Sequence, residues 1–250
     1  MKLNNLSFSN ILKKSFVFEK QPTVAVAVSG GPDSMALLFL LNVWIKNNKG
    51  KIIALIVNHN LRKNSLAEAR SVSKYITKKN IKSKIISIRK SKVLKRSMSE
   101  ARTNRYNALI KYCSNKNILH LFLGHHKDDN IETYINRKLS GSDFEGLKSI
   151  SANIVFDKIN IIRPLLKFTK KEIYTYNKKN KIFFVEDETN TNLNYTRAVI
   201  RKFIQQSERK LVNNIEKDFK KIDNNHAFYK IITSRILILN AYYIDKKTIK

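Results

Sequence analysis

Short apolar runs at Thr23–Val28, Lys51–Asn58, Ile81–Ile88 and Ile118–Gly124 read as strands. Helical stretches separate them, from Pro32 to Asn47, from Ser65 to about Lys79, from Ser97 to about Ser114, and near Lys127–Leu139. Ser65 with Glu68, and Ser97 with Glu100, stand at capping-box spacing, which marks where two of these helices begin. A short helix over Ser9–Phe18 precedes the first strand. Strands alternating with helices predict an α/β fold built on a doubly wound, mostly parallel sheet.

Beyond residue 140 the pattern loosens. Gly141–Gly146 reads as a loop, and Ile161–Leu166 as a last short strand with its exit at Arg163-Pro164. Thr169 and Glu172 make a third capping box, opening a helix to about Asn180. Glu186–Asn194 is an acidic, Asn/Thr-rich loop, and a helix from about Tyr195 to Lys210 follows it. Leu211, Ile215, Phe219 and Ile222 fall near one face of a further helical stretch. The expected organisation is one α/β domain over residues 1–205 and a short helical extension over 206–250.

Composition adds a partner to this picture. The 250 residues carry 49 Lys and Arg against 19 Asp and Glu, a formal charge of +30. Spread basic charge of that size supplies counterion-release affinity for a polyanion, and nucleic acid is the expected one. A Lys-rich codon bias accounts for part of the same excess. The single cysteine, Cys113, excludes an intrachain disulfide framework and a cysteine-built metal centre, and reads as a small core residue. With no continuous apolar segment of spanning length and no leader-like N-terminus, a cytoplasmic chain without a membrane span is expected.

Candidate chemistry gathers where the strands end. Ser29-Gly30-Gly31-Pro32-Asp33-Ser34 joins the first strand to the next helix. Two glycines allow the backbone to approach a ligand, Pro32 fits the first helical turn, and the helix N-terminus attracts an anion. Ser29 and Ser34 add hydroxyl donors, and Asp33 is a candidate magnesium ligand. A plain glycine turn with a Ser/Asp helix cap fits the same residues. The segment is not a Walker A loop, because no Gly-Lys-Ser/Thr follows. Two further polar clusters, 58–62 and 124–132, lie at strand ends, and ligands of open α/β sheets bind beyond those carboxyl ends.

In the first, His59 is placed to contact a nucleotide and Arg62 a phosphate, although a capped loop with a solvated histidine fits equally. On the helix after the third strand, Arg102 and Tyr106 share a face and Arg105 lies three residues from Arg102, which suits a triphosphate, an RNA backbone or a solvated basic face. Gly124-His125-His126-Lys127-Asp128-Asp129-Asn130-Ile131-Glu132-Thr133 opens the helix after the fourth strand. Asp129 and Glu132, three apart, are placed to bind a cation or take a proton from an ammonium nucleophile.

The loop at 29–34 resembles the SGGxDS pyrophosphate loop of the PP-loop ATPases. Within them, several motifs in order over about residues 23–204 resemble the tRNA(Ile)-lysidine synthetases. Residues 124–133 are similar to that family's HHxDDxxET segment. Arg163-Pro164-Leu165-Leu166 is similar to its RPLL, Glu186–Asn190 to its EDxSN, and Glu100–Tyr106 to its E-x-AR-xx-RY stretch. The sequence departs from the family at Asn58, Ser140 and Ala198.

The resemblance implies an adenine nucleotide alpha-hydrolase-like PP-loop fold and an ATP-dependent ligase. Such an enzyme adenylates C2 of the wobble cytidine in the CAU anticodon of tRNA(Ile), then joins L-lysine there, releasing diphosphate and AMP. ATP and Mg2+ are the implied cofactors, with tRNA(Ile) and L-lysine as partners. On this reading Asp33, Asp129 and Arg102 are catalytic, and Asp33 also holds the metal. Ser29, Gly30, Gly31, Pro32, Asp33, Ser34, His59 and Arg105 bind the nucleotide. Asp129, Glu132, Arg197 and Arg201 bind lysine or RNA. The three departures also fit a second reading, a tRNA-binding protein that keeps the fold without the catalysis.

Overall fold

The computed structural model of the chain describes residues 2–58, 60, 64–88, 98–143, 146–185 and 196–207, with helical residues at 212–215, 217–218, 220–222 and 224. Ser97, His59, Arg62 and the loop at 186–194 lie outside the described residues. The chain divides into two compact units, Met1–Asp128 with Ser151–Glu188, and Asp129–Ile150 with Thr189–Lys250.

In the first unit the described residues form one sheet of six strands, β1 (Thr23–Ala27), β2 (Lys51–Asn58), β3 (Lys82–Ser87), β4 (His120–Phe122), β5 (Asn153–Phe156) and β6 (Ile159–Ile162), in the order β3-β2-β1-β4-β6-β5. All neighbours run parallel except β5 and β6. Alternation along β1 explains the layers. Val24 and Val26 enter one core with α1 (Asn5–Ser15), α2 (Pro32–Asn47), α3 (Ser65–Lys78) and α6 (Lys170–Lys179). Ala25 faces the other core, with Leu109 and Cys113 of α4 (Met98–Asn115). Successive strand residues point to opposite faces, so both faces must be covered, and that is the doubly wound arrangement expected from the sequence. α2 is buried nearly all round because the sheet lies on one side of it and α1 and α6 on the other.

Three expectations change. The first helix is α1 at 5–15, not 9–18, because Asn4 and Ser7 close a capping box of their own. Ser65 is not the cap of α3; Asn64 is the N-cap, with no side-chain cap bond, so the Ser65–Glu68 spacing forms no box. The last strand is a hairpin. β6 ends at Ile162, Pro164–Lys167 form a 3-10 turn, and β5 pairs antiparallel on the outer edge. The Thr169–Glu172 capping box forms as expected at the start of α6.

Cys113 is fully buried, and burial pushes its thiol from 9.0 up to about 12. A raised folded value means the neutral thiol stabilises the fold fully below the unfolded value, and that contribution is lost as pH rises through the folded one. We therefore expect the denaturation midpoint of wild type to fall more than that of Cys113→Ala between pH 8 and pH 11. Parallel pH profiles would contradict this. Among the described residues no helix is long and apolar enough to cross a membrane.

Candidate functional site

The strand order reverses between β1 and β4, and a cleft of about 390 Å³ opens at the carboxyl ends of β1, β2 and β4. That switch point is where open α/β sheets bind ligands. Ser29, Asp33 and Ser34 line the cleft from the β1 side, Asn58 from β2, and Gly124 and His125 from β4. Arg105, Tyr106 and Leu109 of α4 form another wall.

The loop at 29–34 is organised by its own hydroxyls. Ser34 Oγ donates to Gly31 O at 3.0 Å and accepts from Ser29 N at 3.2 Å, and Gly31 N donates to Ser29 Oγ at 3.3 Å. Gly31 is the N-cap of α2 and Pro32 its first residue, so no side chain caps the helix. A helix start without its own acceptor is suited to an anion. Gly30 adopts φ +88°, a region that side chains rarely enter. The loop is tied down from outside as well: Val185 N donates to Gly30 O at 2.9 Å, and the fully buried Asn177 of α6 donates to Pro32 O at 2.8 Å.

Gly124 holds the opposite wall close. A Cβ there would stand 3.1 Å from Asp33 C and Ser34 N, so the end of β4 presses on the first turn of α2. His126, nearly buried, stands with Nε2 3.8 Å from Asp33 Oδ2 and Nδ1 3.7 Å from Asp128 Oδ2. Asp128 Oδ2 also accepts from Lys170 N at 2.6 Å, joining this turn to the start of α6.

Positive charge enters from α4 and from the end of β6. Arg102 is exposed, its guanidinium 5.5 Å from the Tyr106 ring centroid and 3.5 Å from His125 Nε2. Burial lowers the Arg105 guanidinium from its ordinary value; Tyr106 opposes this and the like charge of Arg102 adds to it. An arginine stays ionised in protein, so the desolvated Arg105 guanidinium, crowded by Arg102, favours an incoming anion. Arg163, 5% exposed, donates from Nε to His125 Nδ1 at 3.3 Å and from a terminal nitrogen to Ser151 O at 2.9 Å.

The structure thus gathers Ser29, Asp33, Ser34 and Arg105 around one cleft, shaped by Gly30, Gly31 and Pro32, with Arg102 against its lining residue His125. His59 lies outside the described residues. Sequence reading assigns no role to Gly124, His125 or Arg163, although each sits inside a motif, and nothing local marks Asn177.

The remaining candidates belong to the second unit. Asp129 and Glu132 lie on α5 (Lys127–Leu139), and Arg197 and Arg201 on α7 (Thr196–Gln206). Glu132, with a side chain 4% exposed, pairs with Arg201, whose Nε lies 2.6 Å from Glu132 Oε1. Two residues read as separate substrate contacts therefore touch each other. The side chain of Arg197 lies outside the described ones. Ile131 and Tyr134 of α5 form a small core, with Leu147, Ile204 and Ile215 packed against it.

Relatives share this sequence. A tRNA(Ile)-lysidine synthase of Wolbachia pipientis wMel is 39% identical over 205 residues, which is 81% of this chain and 47% of the relative. One from Orientia tsutsugamushi (strain Boryong) is 34% identical over 84% of this chain and 47% of its own length. The chain spans about half the length of the curated relatives it matches. In fold, it is similar to the U34-tRNA thiolase of Methanococcus maripaludis solved with its 4Fe-4S cluster, with a TM-score of 0.70 at 18% identity, covering 88% of this chain and 79% of that one. The PP-loop domain matches residues 3–208, taking in the whole sheet, the loop at 29–34 and both helices that carry the paired Glu132 and Arg201; the chain belongs to the PP-loop domain family.

Proposed function

We propose that this chain is a tRNA(Ile)-lysidine synthetase, an ATP-dependent carbon–nitrogen ligase. The observation that carries the reading is the 39% identity to the Wolbachia enzyme over 205 residues, alongside a PP-loop domain match over residues 3–208 that takes in the cleft. The net charge of +30 suits a tRNA substrate. One buried cysteine offers no set of thiolate ligands for cluster-dependent thiolation.

In the first step the C2 carbonyl oxygen of the wobble cytidine attacks the α-phosphate of ATP, and diphosphate leaves. The Ser29–Ser34 loop cradles the departing diphosphate with backbone and hydroxyl donors, and Arg102 and Arg105 stabilise the charge that develops on it. His59 is assigned to the nucleotide. Among the described residues no cluster of three or more His, Cys, Asp or Glu side chains is set to hold a metal alone. Magnesium fits here nonetheless, since it binds through one or two carboxylates plus substrate phosphates, and Asp33 would hold it. When bound, the ion neutralises phosphate charge.

In the second step the lysine ε-amine attacks C2, the C2–N bond forms, and the C2–O bond breaks to release AMP. The amine must first lose a proton. Asp129 binds the ammonium and accepts that proton, while Glu132, oriented by Arg201, completes the carboxylate pair. Arg197 contacts lysine or RNA.

The test is ATP-dependent incorporation of labelled lysine into tRNA(Ile) bearing a CAU anticodon. Incorporation that disappears without ATP is expected; no incorporation beside an active control enzyme overturns the reading. Gly124→Ala probes the cleft wall. Its added Cβ meets backbone rather than a flexible side chain, so the 29–34 loop must shift, costing about 1–3 kcal/mol of stability. We expect ATP affinity, measured by calorimetry, to fall about tenfold with it. An unchanged Kd would show that this contact does not set the loop.

A further inference from the structure

Arg163 stands where β6 ends, beside the point where β4 delivers His125 to the cleft. Its backbone N donates to Ala152 O at 2.8 Å and a terminal guanidinium nitrogen to Ser151 O at 2.9 Å, so it is anchored to the segment leading into β5. At 5% exposure it is a buried cation, and such a group must have its donors satisfied. One of them, Nε, goes to His125 Nδ1 at 3.3 Å.

That bond restricts the imidazole. A guanidinium never gives up its proton in protein, so Nε is always a donor and Nδ1 must accept. A neutral imidazole carries one N–H, which then has to reside on Nε2. The doubly protonated ring would set N–H against N–H at Nδ1, with two guanidiniums adjacent. On the other side, Arg102 brings a terminal nitrogen to 3.5 Å from His125 Nε2. Both arginines cannot donate to one neutral imidazole. The buried, doubly anchored Arg163 takes the acceptor, because a 3.5 Å approach by an exposed side chain is at the limit of a hydrogen bond. Arg102 and His125 Nε2 are then two donors side by side. Two donors converging at a residue that lines the cleft suit an anionic oxygen.

We propose that Arg163 is a positioning residue: it fixes His125 as the Nε2–H tautomer, so that His125 and Arg102 together grip one phosphate oxygen of the nucleotide. The identity of that oxygen rests on the ATP reading above; the tautomer does not.

The experiment uses the full chain labelled with 15N-histidine, His125 being assigned among the five histidines by its absence in His125→Gln. Wild type without nucleotide is expected to show the Nε2-protonated pattern for His125. Arg163→Met is expected to show mixed tautomers, and Arg163→Lys, which keeps a cationic donor, to lie nearer wild type. A wild-type proton on Nδ1, or an Arg163→Met pattern identical to wild type, overturns the proposal. Adding ATP and magnesium should shift the His125 Nε2 resonance, and Arg163→Met should raise the Kd for ATP about tenfold. ATP binding that leaves Nε2 unmoved overturns the phosphate grip. A wild type that binds no ATP overturns the nucleotide reading itself, and the tautomer is still read from the nucleotide-free spectrum.

Discussion

Asp33→Asn is expected to lower ATP-dependent lysine transfer by about a thousandfold, equivalent to about 4 kcal/mol of transition-state stabilisation. The carboxylate sits in the first turn of α2, lines the cleft and stands beside His126. Asparagine keeps its size and loses only the charge. What the fold loses is the favourable interaction of an acidic side chain with a helix N-terminus, about 0.3–1 kcal/mol. The cost to chemistry therefore exceeds the cost to folding several-fold, and the two are separable by measuring turnover and the thermal midpoint on the same preparation. A variant with wild-type turnover would remove Asp33 from the mechanism and the magnesium assignment with it.

The second large effect concerns stability. Arg201→Ala should cost about 3 kcal/mol, at the low end of the range for breaking a buried ion pair, because Arg201 is itself a quarter exposed while Glu132 is nearly buried. The penalty comes from removing the guanidinium that lies against a nearly buried carboxylate. Removing both charges, as in Glu132→Leu with Arg201→Met, should recover most of it, since a buried pair replaced by apolar groups is close to neutral. Denaturant unfolding of the two single variants and the double variant measures this directly. An Arg201→Ala variant within 1 kcal/mol of wild type would show that Glu132 is satisfied without Arg201. Lysine transfer by the double variant separates the roles: if folding returns without activity, the pair serves the substrate as well as the fold.

How these residues come to matter differs in kind. The Ser29–Ser34 loop and the helix after it are short-range features. Ser29, Gly31 and Ser34 bond among themselves, and Pro32 takes the first helical position. The Thr169–Glu172 box likewise closes within one turn. The same holds for β1, whose alternation sorts Val24 and Val26 from Ala25 wherever the strand lies. Where a local pattern misleads, a local competitor wins: Asn64 precedes Ser65 and takes the cap position of α3. β5 carries no usable period at all, since all four of its residues are exposed on a sheet edge and its strand character comes from pairing with β6.

By itself, then, the amino-acid sequence determined the inner strands and most helices, the doubly wound class and the three strand ends at which polar residues collect, because hydrophobic period and cap chemistry act over a few residues. Tertiary structure alone decided that Arg163 meets His125, 38 residues away, that Glu132 is neutralised by Arg201, 69 residues away, and that Asn177 steadies Pro32 from 145 residues away. Such contacts depend on strand order and on which helix covers which face. A buried charge or amide accepts whichever partner that packing delivers, and no spacing in the chain encodes the choice.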